Sequence, residues 1–155
     1  MRLTLITAAL LAGLGSITAH SADTPPATSP SVQGAPMNIV IATPNQPPIK
    51  FALADNAVAR DFYALLPLTV HLEDYAGTEK VAHDLPRKLN TAGAPRSYAG
   101  KRGDLTYYAP WGNLALFYRD HGSAAAGLIY LGRITKGAEW LEQLVGEVHI
   151  GAEMP

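Results

Sequence analysis

Residues 68–73, LTVHLE, alternate without a break: Leu68, Val70 and Leu72 fall on one side, Thr69, His71 and Glu73 on the other. A period of two marks a half-buried strand. Other runs read the same way. MNIVIAT (37–43) and IKFALA (49–54) are two strands joined through a tight PNQPP loop. DLTYYAP and NLALFYRD are two more, joined through Pro110, Trp111 and Gly112, and their aromatic and branched side chains suit a pleated surface. LIYLGRI (128–134) and GEVHIGAEM (146–154) follow, with shorter strands expected near residues 79–82 and 87–89.

In two places the period lengthens. Val58, Phe62, Leu65 and Leu66 recur at i, i+4, i+7 and i+8, which predicts a helix near residues 56–66. Asp55 or Asn56 can cap it and Pro67 stops it. TKGAEWLEQL predicts a second short helix near residues 137–144, with Leu141, Leu144 and Val145 on one side. About eight short strands with two short helices predict a mainly β domain. A closed β-barrel is favoured over a sandwich because closure leaves fewer exposed strand edges. Residues 75–101 are the least regular part, rich in Gly, Pro and charge, and loops of this kind on a rigid scaffold are where function concentrates.

The N-terminal segment has a different pattern. Met1-Arg2 precedes an uncharged run over residues 3–19, and small residues surround a cleavage point near Ala22. This is the layout of a secretory signal peptide over residues 1–22. The run is diluted by Gly, Ser and Thr, whereas a membrane-spanning helix needs about 20 predominantly apolar residues. Residues 23–36 hold four prolines and almost no bulky apolar side chain, a composition expected of a flexible linker. The folded domain is expected over residues 37–155, enough chain for one core. These features predict an exported protein, periplasmic or secreted, with no membrane attachment after signal removal.

Composition then excludes several classes. The chain has no cysteine, so disulfides, cysteine-ligated zinc and a lipidated N-terminal cysteine are ruled out. Losing residues 1–22 would remove Arg2 and no acidic residue, leaving 11 basic against 13 acidic side chains, a formal charge of −2. No basic cluster remains to attract nucleic acid. His71 and Glu73 share a strand face, and His83, Asp84 and His121 could approach them, but the spacing matches no metal motif. No serine of the expected domain lies in a Gly-x-Ser-x-Gly elbow, and AGKRGD lacks the length and ending of a phosphate loop. Neither a metal nor a cofactor is implied.

LIYLGRITKGAEWLEQL, with Leu131-Gly132-Arg133-Ile134 and then Lys136-Gly137, resembles the cyclophilin strand that ends in a Phe-Gly-Lys/Arg-Val step and leads into a short helix. VARDFYALLP is similar to the first cyclophilin helix, with its Ala-x-x-Phe-x-x-Leu pattern. LPLTVHLEDYAGTEKVAHDLPRKL and GDLTYYAPWGNLALFYRD look closer still to a family of small bacterial cyclophilin-like proteins, over nearly all of residues 37–153. The resemblance implies a cyclophilin-like barrel more than an activity. True cyclophilins carry Phe-His-Arg-Ile-Ile-Pro followed by Gly-Phe-Met-x-Gln, and the arginine is the main catalytic group. Here Arg87 follows Pro86, but no Phe-Met-x-Gln comes after it, and RDHGSAAAG stands where a Trp-Leu-Asp-x-x-His segment would be.

Two functions follow as expectations. Prolyl isomerisation needs an apolar slot and a fixed donor to the twisted amide nitrogen, which makes Arg87 the catalytic candidate, beside Tyr108, Trp111 and Phe117. A binding module for a peptide or small molecule asks less and leads. Its cleft candidates are Tyr75, Arg87, Tyr107, Tyr108, Trp111 and Phe117, because tyrosine and tryptophan offer large contact area with a polar handle. Alternation then sorts the hairpin by face. Leu105 and Tyr107, with Leu114, Leu116 and Tyr118, belong to the core; Tyr108 and Phe117 face outward, with Trp111 at the rim. On this division, loss of an outward aromatic should cost little stability.

Overall fold

The computed structural model describes residues 34–154. The expected signal peptide lies outside them. So does the linker apart from residues 34–36, which are exposed and have no regular structure.

The strands are β1 (Asn38–Thr43), β2 (Gln46–Leu53), β3 (Leu68–Tyr75), β4 (Glu79–Ala82), β5 (Ser97–Tyr98), β6 (Asp104–Tyr108), β7 (Asn113–Phe117), β8 (Ala125–Ala126), β9 (Leu128–Lys136) and β10 (Gly146–Ala152). Eight of them close an antiparallel barrel in the order β1-β10-β3-β4-β7-β6-β9-β2, with β2 returning to β1. The remaining two, β5 and β8, pair with each other as a small separate sheet. Alternation fills the interior as expected. Ile39, Ile41, Phe51, Val70, Leu72, Leu105, Tyr107, Leu114, Leu116, Leu131, Val148 and Ile150 form one buried cluster.

Helix α1 (Ala57–Tyr63) starts where Asn56 Oδ1 accepts the Ala59 N–H at 2.8 Å. Its Val58, Ala59 and Phe62 join the core. The second helix is a 3-10 turn over Ala138–Gln143, with Leu141 buried. Among the described residues no helix is long and apolar enough to cross a membrane.

Two expectations are corrected. Residues 87–89 form no strand. Their neighbourhood finds side-chain partners instead of a ladder: Leu89 N–H donates to the Tyr107 hydroxyl at 3.1 Å, and Asn90 N–H to Asp61 at 2.8 Å. The second correction concerns the barrel's outer face. β6 and β7 are buried on both faces, because the segments carrying β5 and β8 lie over them. Phe117 does face outward, yet it is only 1 % exposed. Gly100 sits directly on its ring, where an added Cβ would come within 2.5 Å of Phe117 Cε2. An outward position on this face is therefore a second core, not a free surface.

Candidate functional site

Strand register lays out the outer surface. Across β3, β4 and β7, Tyr75 stands opposite Glu79, and Glu79 opposite Phe117. Further along, Val81 stands opposite Ala115, and Tyr108 lies between Asn113 and Leu128. These residues frame a cleft of about 210 Å³. Val81, Phe117 and Leu128 are buried and form its apolar base, together with Ala125 from β8. Glu79, Asn113 and His121 supply polar groups, with the Tyr75 and Tyr108 hydroxyls and the Trp111 indole N–H.

Trp111 reaches the cleft from the turn between β6 and β7. Gly112 closes that turn by donating its N–H to the Tyr108 carbonyl at 2.8 Å, with φ at +73°, a conformation glycine adopts without a steric penalty. The connection preserves the pairing of Tyr108 with Asn113, so the two strands keep the parity read from the sequence. Trp111 packs edge to face on both neighbours: Tyr75 at 5.7 Å and 87°, Tyr108 at 5.4 Å and 83°. Trp111 is nevertheless 53 % exposed and Tyr75 42 %. Two large aromatics thus remain half in water at the mouth of an apolar recess.

The polar groups have distinct surroundings. His121 sits edge-on to Phe117 at 5.9 Å, and its Nδ1 lies 2.9 Å from the Ser123 carbonyl. A carbonyl only accepts, so Nδ1 carries the hydrogen and Nε2 is the acceptor of the neutral ring. Burial raises the Glu79 carboxyl above the ordinary carboxylate value, with His121 pulling more weakly the other way. Asn113 Nδ2 donates to the Leu114 carbonyl at 3.0 Å, while its buried Oδ1 has no partner.

Of the residues proposed from the sequence, Tyr75, Tyr108, Trp111 and Phe117 converge here. Tyr107 points into the barrel and is buried. Arg87 is not on the cleft wall. It makes a two-pronged contact with Asp61 of α1, Nη1 to Oδ2 at 2.8 Å and Nη2 to Oδ1 at 2.7 Å. That fork, helped by the Asn90 N–H, holds the Asp61 carboxyl down at about 2. A lowered carboxyl contributes stability above its unfolded value, and the contribution disappears as pH falls through the folded value. Arg87→Ala should therefore destabilise the protein at neutral pH, and the gap from the parent should close towards pH 2. Urea unfolding of both proteins across that range checks this. Sequence reading missed Glu79, Asn113 and His121 as members of the site. The signal available for Glu79 was its place two residues before Val81 on a short apolar strand.

The histidines considered for a metal are placed apart in role. His83 Nε2 lies 3.7 Å from Glu73 Oε1, and the His71 backbone N–H donates to Asp84. Among the described residues no three His, Asp or Glu side chains converge as metal ligands.

A second cavity, of about 340 Å³, lies between the start of α1, residues 92–95 and β9. It is larger, but the Asn56 and Tyr98 side chains are already used. Asn56 both caps α1 and donates to the Tyr130 carbonyl at 3.0 Å, and the Tyr98 hydroxyl donates to Asp104 at 2.8 Å. Of its side chains, the Tyr130 hydroxyl is the one left to orient a ligand.

A closed antiparallel barrel with one capped helix and a cleft on its outer face defines a cyclophilin-like domain. The family model described as "Cyclophilin-like family" matches residues 42–153, and the chain belongs to that family. The solution structure of the hypothetical protein AF2241 from Archaeoglobus fulgidus is similar, with a TM-score of 0.56 at 15 % identity, covering 79 % of this chain and 99 % of that one. At that identity the likeness speaks for the fold alone. No curated protein matches the chain.

Proposed function

We propose that this cyclophilin-like domain is a binding module, and that the cleft between Trp111, Tyr108 and Phe117 receives a small molecule or a short peptide. The observation that carries this reading is the pair of exposed aromatics, Trp111 and Tyr75, packed edge to face at the mouth of an apolar recess. Leaving that much aromatic surface in water forgoes burial worth about 25 cal/mol per Å². A ligand covering it would recover that free energy, whereas the barrel itself gains little from it. The isomerase alternative has less support. The donor it requires, Arg87, is engaged with Asp61 and does not line the recess.

The test is a fragment and peptide screen followed by calorimetry, repeated on Trp111→Ala and Tyr75→Ala. Both variants should keep thermal stability within about 1 kcal/mol of the parent, because surface substitutions cost little. Both should lose binding by tenfold or more. If ligands bind the parent and both variants equally, the cleft is not their site. A proline-peptide assay on the intact protein, with Arg87→Ala beside it, would revive the isomerase reading only if turnover appears and the variant abolishes it. The proposal extends to export, supported by the charge and apolar pattern of residues 1–22. N-terminal sequencing of protein from its native host should begin near residue 23, and an intact Met1 would contradict it.

A further inference from the structure

We infer that the ligand of this cleft is an elongated organic amine: a primary ammonium group seated at Glu79, an apolar stem along Phe117 and Leu128, and a second hydrogen-bond donor at Asn113. The inference rests on the binding-module reading above and adds the chemistry of the occupant.

Three observations lead to it. Glu79 is a half-buried carboxylate at an apolar recess, with no hydrogen bond or ion pair from the described residues and only the weaker pull of His121 to offset its partial burial. Proteins pair such groups or lose stability by keeping them. Its neighbour on β4 cannot help, because Lys80 points to the opposite face and its Nζ pairs with Asp74 at 2.7 Å.

The second observation is Asn113 Oδ1. The amide orientation is fixed by the Leu114 carbonyl, which can only face the NH₂ group, so the oxygen is the free atom. It is a buried acceptor without a donor on a residue that lines the cleft, and unpaired buried acceptors call for a partner. Asn113, Ala115 and Phe117 share the outer face of β7, so this side chain stands on the same surface as the apolar base.

The third is what the lining omits. No Lys or Arg lines the cleft, so an anionic ligand would meet the like charge of Glu79 without a permanent cation beside it. A cation would meet Glu79 and the faces of Tyr75, Tyr108 and Trp111, which attract positive charge through their ring quadrupoles. His121 in its neutral form presents Nε2, again an acceptor. Glu79, Asn113 Oδ1 and the neutral His121 thus offer acceptors, beside the Tyr75 and Tyr108 hydroxyls and the Trp111 indole N–H of the same lining.

Spacing sets the length. Glu79 stands opposite Phe117, and Asn113 lies four residues further along β7, about 13 Å at strand rise. The side chains themselves shorten that span, so a stem of several methylenes fits between the two acceptors. A free alkylamine bearing a second donor and a lysine side chain with its own backbone N–H share this chemistry.

The experiment titrates the full domain with pentylammonium, 1-pentanol, pentanoate and N-acetyl-lysine methylamide, followed by calorimetry and Trp111 fluorescence. Pentylammonium and the lysine derivative should bind, pentanol at least tenfold more weakly, and pentanoate not at all. Tighter binding of the lysine derivative points to a basic peptide; tighter binding of the free amine points to a small molecule. Glu79→Gln should remove the preference for ammonium over alcohol. The same variant should melt higher than the parent at neutral pH without ligand, because partial burial raises the Glu79 carboxyl and so disfavours its charged form in the fold. If pentanol binds as well as pentylammonium, or Glu79→Gln leaves the preference intact, the amine inference is overturned while binding in the cleft stands. If Glu79→Gln melts lower, the carboxylate is compensated and the inference also fails. If ligands from a broad screen bind the cleft and no amine does, it fails again; if nothing binds at all, the binding-module reading falls with it.

Discussion

Phe117→Ala should destabilise the protein by about 3–5 kcal/mol, as much as removing a leucine from the barrel interior. Outward direction would suggest otherwise. Yet Phe117 is 1 % exposed and forms, with Val81, Ala115 and Leu128, a second buried cluster outside the barrel. The Gly100 backbone rests on its ring, so truncation leaves a cavity that the loop above cannot fill without moving. Leu116→Ala, from the interior cluster, should cost about 2–5 kcal/mol. Urea unfolding of both variants makes the comparison. A loss below about 1 kcal/mol for Phe117→Ala would mean that the outer layer adds little to the fold.

Asp104→Ala should have the next largest effect, about 2–3 kcal/mol from losing several hydrogen bonds to one charged group. Asp104 lies on β6, fully buried, and gathers donors from three elements. The Tyr98 hydroxyl of β5 reaches it at 2.8 Å, the Lys101 N–H at 2.9 Å and Arg133 Nη1 of β9 at 2.7 Å. Arg133 is more than half exposed and regains water when released, so most of the cost comes from the part-buried Tyr98 hydroxyl and Lys101 amide. Because Tyr98 and Lys101 belong to the segment that covers Phe117, its amides over residues 97–103 should exchange faster in the variant. Unchanged exchange there would show that Asp104 does not anchor the covering segment.

The barrel was legible because its strands obey a strict period of two, and Leu105, Tyr107, Leu114 and Leu116 went inside as alternation requires. The helix start was legible in Asn56, whose short polar side chain does locally what a cap must do. The hairpin parity held because Gly112 ends the turn in a left-handed conformation and returns Asn113 opposite Tyr108. The covering sheet was not legible. Ser97 and Tyr98 pair with Ala126 and Ala125 over two residues, too short a run to leave a periodic trace. This is why Phe117 could be placed on the outer face but not recognised as buried.

Arg87 shows a different limit. Its nearness to Pro86 suggested a catalytic arginine. The partner is Asp61, 26 positions away on α1, and such a pairing depends on how the helix meets the loop rather than on local spacing. Glu79 and Asn113 were hidden for a related reason. Each reads alone as an ordinary solvated strand end, and only the register across β4, β7 and β6 brings them to one cleft.

The most direct test of the account is an amide and indole NMR titration of the folded domain with pentylammonium. The account predicts shifts of the Trp111 indole N–H and of the backbone amides of Glu79, Phe117 and Ala125, which line the cleft, with Asn56, Gly93 and Tyr130 of the second cavity unmoved. Shifts confined to Asn56, Gly93 and Tyr130, with Trp111 silent, would contradict it.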